Sequence, residues 1–138
     1  MNRILILIGT LTFLSFMFAE EVVENKSWLV AERAILTSEV IEREPVDEVE
    51  VFKLGERGWL FTDIREGSSE DYIHHIWYYH GEEQTLELGK VRLNIGGPRW
   101  RTWSHKYLGY TGDWSVVVLD PAGNIIENIM FKVEDNDK

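Results

Sequence analysis

The residues that could do chemistry are concentrated in one basic and aromatic segment, 90–106, of an otherwise acidic chain. This segment contains no Asp or Glu, yet it holds five of the 14 Lys and Arg residues. They are Lys90, Arg92, Arg99, Arg101 and Lys106. Arginine binds carboxylates and phosphates through paired N–H groups, and tryptophan can stack on a flat apolar partner. The segment therefore indicates either a surface for an anionic or sugar-like partner or a complement to an acidic patch elsewhere on the fold.

An extended conformation over residues 99–106 would sort these side chains onto two faces, because successive residues of a strand point in opposite directions. One face then carries the candidate ligand-binding residues: Arg99, Arg101, Trp103 and His105. We expect Trp100 to point into the core and Trp103 outwards, since a row of unpaired polar neighbours is costly to bury. Recognition of a ligand by this face is one hypothesis.

A purely structural role for the same residues is the alternative. Arg101 could stack on Trp103 as a cation–π pair and bond to an acidic segment such as 42–50, so that the run only stabilises the fold. Solvent exposure of Arg101 and Trp103 separates the two hypotheses. Exposure of both favours recognition, whereas burial against a carboxylate favours a structural role.

Metal and catalytic sites are weakly indicated. His74 and His75 are adjacent on a predicted strand and so face opposite sides, and the chain has no Cys. We therefore expect no metal and no cofactor. Ser104 next to His105 suggests a nucleophile and a base, but adjacent strand residues diverge and no Gly-x-Ser-x-Gly turn is present. The sequence predicts a protein that is not an enzyme, with an envelope hydrolase as a further alternative that needs Ser104 beside a histidine or two carboxylates in a cleft.

The elements that must position these residues are short runs rich in Val, Ile, Leu, Trp and Tyr, separated by Gly, Pro, Asn or Asp, a pattern typical of antiparallel strands. The eight runs are 30–37, 49–54, 59–64, 72–79, 85–95, 100–108, 114–120 and 125–133. Pro121 and Gly123 predict a tight turn between the last two runs, and His80-Gly81 joins the fourth to the fifth. A change of apolar phase predicts a bulge at Gly89 and Lys90, which would let one long strand bend between two sheets.

These runs predict an all-β fold, an antiparallel two-sheet sandwich of seven to eight strands, with a closed barrel as the alternative. The run Trp77-Tyr78-Tyr79 on a central strand favours an immunoglobulin-like arrangement, as does Gly112-Asp113-Trp114 before an alternating hairpin. The length of 138 residues fits one domain.

The first residues have the layout of an export signal. Arg3 precedes an apolar run from Ile4 to Phe18, and Ala19 could end the cleavage site. We predict a signal peptide at 1–19 after which the protein is exported to the periplasm or the extracellular space. A polar tether at 20–29, a sandwich domain at 30–134 and an acidic tail at 135–138 follow. An uncleaved N-terminal segment is the one way in which we expect contact with a membrane, although its run of apolar residues is short for a spanning helix.

The charge balance limits the partners. The whole chain carries 14 basic and 24 acidic residues, a net charge of −10. Removal of residues 1–19 leaves 13 basic residues against the same 24 acids, or −11. Because phosphate backbones repel such a chain, we expect no nucleic acid partner. A glycan or an envelope protein is the expected partner.

Several short motifs are familiar as a set: Arg43-Glu44-Pro45, Leu60-Phe61-Thr62, the run 75–79, the run 95–104 and Gly112-Asp113-Trp114. Over residues 30–133 the chain resembles the bacterial family catalogued as domain of unknown function 2914. The run Gly-Gly-Pro-Arg-Trp-Arg-Thr-Trp-Ser is its most specific part. The resemblance implies no activity, cofactor, ligand or catalytic residue, because none is established for that family. His80-Gly81 stands where such sequences tend to have Asn-Gly.

Overall fold

The computed structural model describes residues 27–137, which form ten β-strands and, within this range, no helix. The strands are β1 (Val30–Thr37), β2 (Val40–Ile41), β3 (Glu44–Pro45), β4 (Val51–Lys53), β5 (Arg57–Arg65), β6 (Tyr72–His80), β7 (Thr85–Asn94), β8 (Arg99–Tyr107), β9 (Gly112–Leu119) and β10 (Ile125–Glu134). The signal peptide predicted for residues 1–19 and most of the tether predicted for 20–29 lie outside the described residues, as does the last residue of the predicted tail.

Two sheets make up the body of the fold. A five-stranded sheet has the order β4-β10-β9-β6-β7, and a three-stranded sheet has the order β1-β5-β8. All pairs in them are antiparallel except β4 with β10, which is parallel. The short strands β2 and β3 form a separate small hairpin. The predicted all-β, sandwich-like architecture is therefore confirmed.

The core lies between the two sheets and is built from alternate residues of each strand. Trp77, Trp114 and Phe131 come from the five-stranded sheet, and Leu60 and Ile64 come from the three-stranded one. Phe131 packs edge-on against Trp77, with ring centroids 6.1 Å apart. Burial of each large apolar side chain stabilises the fold by about 1.5 to 3 kcal/mol, so this interface holds the sheets together.

All eight predicted strands are present, but the hairpin of β2 and β3 was not predicted. Its two turn residues, Glu42 and Arg43, both have positive φ angles, 51° and 66°. A two-residue turn of this kind normally carries Asn-Gly or Asp-Gly, because other residues pay a steric cost of about 1 to 2 kcal/mol each. Glu-Arg is therefore a poor sequence signal for the turn that the fold contains.

The predicted bulge lies one residue earlier than expected, and its predicted consequence is wrong. Trp77 pairs with Gly89 and Tyr78 with Glu87, so Leu88 is the extra residue. Strand β7 pairs with β6 along its whole length and stays in the five-stranded sheet. The bulge corrects the side-chain phase of one strand and does not carry the strand from one sheet to the other.

The two turns read from the sequence are confirmed. The Asp120 amide donates to the Asn124 carbonyl at 2.9 Å, and Gly123 has a φ of 89°. One carboxylate oxygen of Asp120 also accepts the amides of Ala122 and Asn124. The Gly81 amide donates to the Gln84 carbonyl in the turn between β6 and β7. These bonds fix the register of both hairpins.

Candidate functional site

The basic segment 90–106 does not form one patch, because the fold divides its five cations among three places. Lys90 and Arg92 lie exposed on β7 of the five-stranded sheet, where Arg92 stacks on the Tyr72 ring at 3.7 Å. Arg99 and Arg101 lie on β8 of the other sheet. Lys106 is half-buried between the sheets and donates to the Leu88 carbonyl at the bulge.

The four candidate ligand-binding residues, Arg99, Arg101, Trp103 and His105, occupy alternate positions of β8 and share the outer face of the three-stranded sheet. Their partners on β5 are, in order, Arg65, Asp63, Phe61 and Trp59. Arg99 and His105 are exposed, whereas Arg101 and Trp103 are half-buried. Trp100, on the opposite face, packs against the core as expected.

Trp103 is held by neighbours other than Arg101. Its ring lies nearly parallel to that of Phe61, at an interplanar angle of 12° and a centroid distance of 6.5 Å. Phe61 is fully buried although it points to the outer face. The Arg43 guanidinium carbon lies 6.0 Å from the Trp103 ring, so the cation–π partner of this tryptophan comes from the small hairpin.

Arg101 belongs to a cluster of charged side chains that meets at one depression of about 370 Å³. We call it the arginine cluster; its members are Arg33, Glu44, Asp63, Arg65, Arg99 and Arg101. Within it, Arg33 grips Glu44 with two hydrogen bonds of 2.9 and 3.1 Å. Arg101 Nη1 donates to Oε2, the carboxylate oxygen that also accepts one of the Arg33 bonds, and to the Arg43 carbonyl. Glu44 thus ties the small hairpin to both edge strands of the sheet, β1 and β8.

The second carboxylate of the cluster, Asp63, lies in the middle strand. It accepts two hydrogen bonds from Arg65, of 3.0 and 3.3 Å, and one from Arg33. The Arg65 guanidinium and, to a smaller extent, that of Arg33 hold the pKa of Asp63 below its ordinary value. Hydrogen bonds from Arg33 and then Arg101 lower the pKa of Glu44 to about 2. Both carboxylates are therefore ionised at neutral pH.

The cluster has a surplus of positive charge. Four arginines and two carboxylates line the depression, a formal charge of +2. Outside the lining, Glu32 forms an ion pair with Arg65 at 3.0 Å, which leaves a surplus of +1. Among residues 27–137, Arg99 takes part in no ion pair, and the hydrogen bonds of Arg101 leave from one nitrogen, Nη1. N–H groups of both arginines thus remain available to an external anion.

Asp47 holds the hairpin that supplies Glu44 in place through side-chain hydrogen bonds. One oxygen of this carboxylate accepts the Thr37 hydroxyl and the Ser38 amide, each at 2.8 Å. Its other oxygen accepts the Ser38 hydroxyl at 2.6 Å. These bonds close the loop after β1, so Glu44 stays over the sheet despite the strained turn.

His105 is neutral at physiological pH. Partial burial, and then the nearby Arg57 charge, lower its pKa from 6.5. Arg57 Nη1 lies 3.0 Å from Nδ1, which must accept this hydrogen bond because arginine can only donate. The proton of the ring is then on Nε2. His105 can offer one N–H to a ligand, but it adds no charge to the face.

A buried polar network on the inner face was not predicted as a whole. Ser104 lies 2.7 Å from His75 Nδ1 and accepts from Trp77 Nε1 at 3.2 Å. His75 Nε2 lies 3.3 Å from the Thr62 hydroxyl, which donates to the Thr102 carbonyl at 2.9 Å. Because the Thr62 proton is used there, His75 Nε2 is the donor and Nδ1 accepts from Ser104. We call this chain the core network; every member has a partner.

Both ring nitrogens of His75 have hydrogen-bond partners within the core network, so this histidine has a structural role. Its partner Ser104 comes from the opposite sheet, and neither spacing nor motif could have joined them. The pair has the serine–histidine contact that the hydrolase alternative needs. However, His75 is fully buried and Ser104 is 6% exposed. Because Ser104 is buried, no substrate carbonyl can reach its hydroxyl. Burial also lowers the pKa of His75 to about 3, so the ring is a weak base.

Residues 27–137 contain neither a metal-binding cluster nor a membrane-spanning helix. No group of three or more His, Asp or Glu side chains in this part of the chain is arranged to hold a metal ion. The same residues include no helix with the length and apolar character needed to cross a membrane.

Comparison with known proteins identifies a family for one segment of the chain. No curated protein matches the chain. Among solved structures, a β-glucosidase from Listeria innocua in complex with glucose is similar, with a TM-score of 0.45 and 8% identity. The match covers 77% of this chain but 16% of the glucosidase chain, and nothing about activity follows from it. Residues 70–133 match the family model described as protein of unknown function (DUF2914), so the family resemblance of this chain is confirmed over the segment from β6 into β10.

Proposed function

We propose that this protein is an exported, non-catalytic binding or interaction module of the cell envelope. In this proposal Arg99, Arg101, Trp103 and His105 contact an anionic partner, either a glycan or a protein. The export component depends on the N-terminal pattern of a charged residue, an apolar run and a small residue.

The single observation that carries the proposal is the surplus positive charge of the arginine cluster in a chain of net charge −10. A cluster that served stability alone would need no cation beyond those that its carboxylates neutralise. Here Arg99 is exposed at the rim without an acidic partner in the described structure. A carboxylate or phosphate entering the depression would meet the free N–H groups of Arg99 and Arg101 together.

The rigidity of the face also supports binding. Glu44 and Asp63 hold the neighbouring guanidinium groups in place, and Phe61 fixes the plane of Trp103. Side chains that are ordered before binding lose less entropy when a ligand arrives. The exposed part of Trp103 could then pack on a sugar ring beside the bound anion.

The finer fold assignment belongs to the same proposal. We infer an immunoglobulin-like arrangement, for which the strand order β4-β10-β9-β6-β7 opposite β1-β5-β8 gives support. Trp77, which is fully buried on β6 in the middle of the sandwich, is a second supporting feature. Such a fold has many functions, so it adds nothing to the choice of ligand.

Binding of polyanions tests the proposal. Polygalacturonate and a polyglycerol phosphate serve as carboxylate and phosphate probes, with neutral dextran as the comparison. We expect retention of the protein on at least one polyanion at low salt, and loss of that retention in Arg99→Ala and in Arg101→Ala. Lys90→Ala removes the same charge from the other sheet and should bind as the wild type does. Equal binding by all three variants would disprove the assignment to this face.

A structural accessory role is the second candidate, and the position of Glu44 favours it. This carboxylate joins Arg33 and Arg101 and so connects the hairpin to both edges of the sheet. If the face serves stability alone, Arg101→Ala lowers the Tm by several degrees and no probe distinguishes it from the wild type. If it serves recognition, Arg99→Ala removes binding while the Tm stays unchanged.

A further inference from the structure

We propose that the open side of the sandwich, between β1 and β10, binds an extended basic segment of a partner protein as an added β-strand. This docking site is separate from the four candidate residues on β8, and the proposal does not depend on the function of those residues.

The site is an apolar groove of about 640 Å³ where the two sheets separate. Its apolar lining comes from both sheets: Ala34, Leu36, Val49, Ile129 and Phe131. Leu36 and Phe131 are members of the core, so the groove reaches the hydrophobic interior. An apolar side chain of a bound strand could enter it and bury its surface.

The backbone beside the groove has free hydrogen-bonding capacity. In the described structure β10 pairs with β4 only at residues 132–134, where the Lys132 amide donates to the Glu50 carbonyl. Because N–H and C=O directions alternate along a strand, those of Met130 and Asn128 point to the same open edge. An extended peptide in line with β4 would pair with these groups.

The protein's own chain leaves this edge open because it changes sheets at this point. The Val49 amide donates to the Leu36 carbonyl of β1 at 2.9 Å, and one residue later Glu50 bonds β10. Strand β4 therefore begins at Val51 and cannot cover residues 128–130. Edge strands are usually protected by lysine, proline or a bulge. The bulge of β10, at Ile126, precedes the open positions, and residues 128–131 contain neither proline nor a charged side chain.

The charge around the groove selects a basic occupant. Glu48 and Glu50 line its rim, while Asp113 and Lys132 neutralise each other in an ion pair of 2.6 Å. The lining thus carries a net formal charge of −2. A second copy of this chain, paired through the same edge, would bring its own Glu127 and acidic rim against this one. Like charges of this kind disfavour self-pairing and favour a partner strand with Lys or Arg.

Short synthetic peptides provide the test. The probe is a seven-residue peptide of alternating Lys and Val, compared with one in which Glu replaces each Lys. We expect the basic peptide to bind at least about tenfold more tightly at low salt, because the rim is acidic. Methylation of its backbone nitrogens should abolish binding, since an added strand needs its N–H groups. In NMR spectra the amides of Asn128 and Met130 should shift on titration.

Charge-reversed protein variants complete the test. Glu48→Lys with Glu50→Lys should reverse the preference between the two peptides. The matched control, Glu82→Lys with Glu83→Lys in the turn after β6, changes the net charge by the same amount and should keep the wild-type preference. Binding that survives nitrogen methylation, or that ignores the rim substitutions, would refute strand addition. If the protein forms a dimer and Asn128→Pro converts it to a monomer, a second copy of the chain is the occupant and the proposal is wrong.

Discussion

Two polar systems lie on opposite faces of the same three-stranded sheet, and they differ in charge and in exposure to water. The core network on the inner face consists of neutral groups sealed from water, with His75 fully buried. The arginine cluster on the outer face consists of full charges. The side chains of Arg101 and Glu44 are 37% and 46% exposed, whereas Asp63 is buried. Strand β8 supplies members of both through its alternation.

The free-energy cost of losing a hydrogen-bond partner depends on whether water can take its place. Inside the sandwich, a group that loses its hydrogen bond cannot turn to water, so it pays the full desolvation cost. On the outer face, water and salt ions replace a lost partner at small cost. We therefore expect substitutions in the core network to act on stability, and those of the exposed arginines of the cluster, Arg99 above all, to act mainly on recognition.

Ser104→Ala should have the largest effect. It removes the acceptor of Trp77 Nε1 and the donor to His75 Nδ1, and each orphaned buried group costs about 1 to 3 kcal/mol. We expect a loss of about 2 to 4 kcal/mol in the free energy of unfolding, measured by urea denaturation. Ser115→Ala is the matched control, since Ser115 contacts the half-buried His80 at the same distance of 2.7 Å. An equal loss in both variants would contradict the role assigned to burial.

The second-largest expected effect is a loss of stability at acid pH, caused by protonation of His75. Burial lowers the pKa of His75 from 6.5 to about 3, so between these values the unfolded chain binds a proton that the folded chain excludes. The contribution of neutral His75 to the free energy of unfolding is therefore fully present above pH 6.5 and decreases as the pH falls towards 3. The expected loss from pH 7 to pH 5 is about 2 kcal/mol.

The control for this pH dependence is His75→Gln, which should be less stable at pH 7 but should lose most of the slope between pH 6.5 and 5. His74 and His105 also have lowered pKa values through partial burial and nearby cations, so a small slope should remain. A slope unchanged by the substitution would assign the pH response to those surface residues instead.

The predictable part of this molecule is local. Alternation and turn residues were enough to locate eight strands and the turn at 120–124, since both signals come from neighbours in sequence. The hairpin of β2 and β3 escaped because Glu42 and Arg43 adopt positive φ angles that their residue types do not favour. Contacts over the sheet outweigh the local preference there, and the sequence shows no trace of them.

The candidate site was predictable in the same partial way. The shared face of Arg99, Arg101, Trp103 and His105 follows from period two along one strand. The acidic partner of Arg101 was one alternative, and the structure places Glu44 there. Arg33 and Asp63 were missed because they come from β1 and β5, and only sheet register brings them beside β8. A sequence pattern cannot supply that register.

Glu44→Gln should produce a smaller loss of stability than Ser104→Ala. The variant keeps a hydrogen-bonding side chain but removes the charge that Arg33 and Arg101 share, so the hairpin is held less firmly. Because these groups are solvated, the Tm difference from the wild type should shrink in 1 M NaCl. The carboxylate pKa is lowered from 4.5 to about 2, so the stabilising contribution is present above pH 4.5 and is lost as the pH falls through 2. Thermal melts of Glu82→Gln, an exposed surface control, should match the wild type at all salt concentrations.

Arg99→Ala should have the smallest effect on stability and the most specific effect on binding. Arg99 is exposed and takes part in no ion pair among residues 27–137, so its loss should leave the Tm unchanged within about 1 °C, as for ordinary surface substitutions. Retention on a polyanion should nevertheless fall, because this guanidinium is the one in the cluster that no carboxylate already occupies. Arg99→Lys keeps the charge but not the planar pair of donors, and should restore retention only in part if a carboxylate or phosphate is gripped at two points. Full restoration by lysine would mean that the face attracts polyanions through charge alone, and that the geometry of the cluster serves the fold.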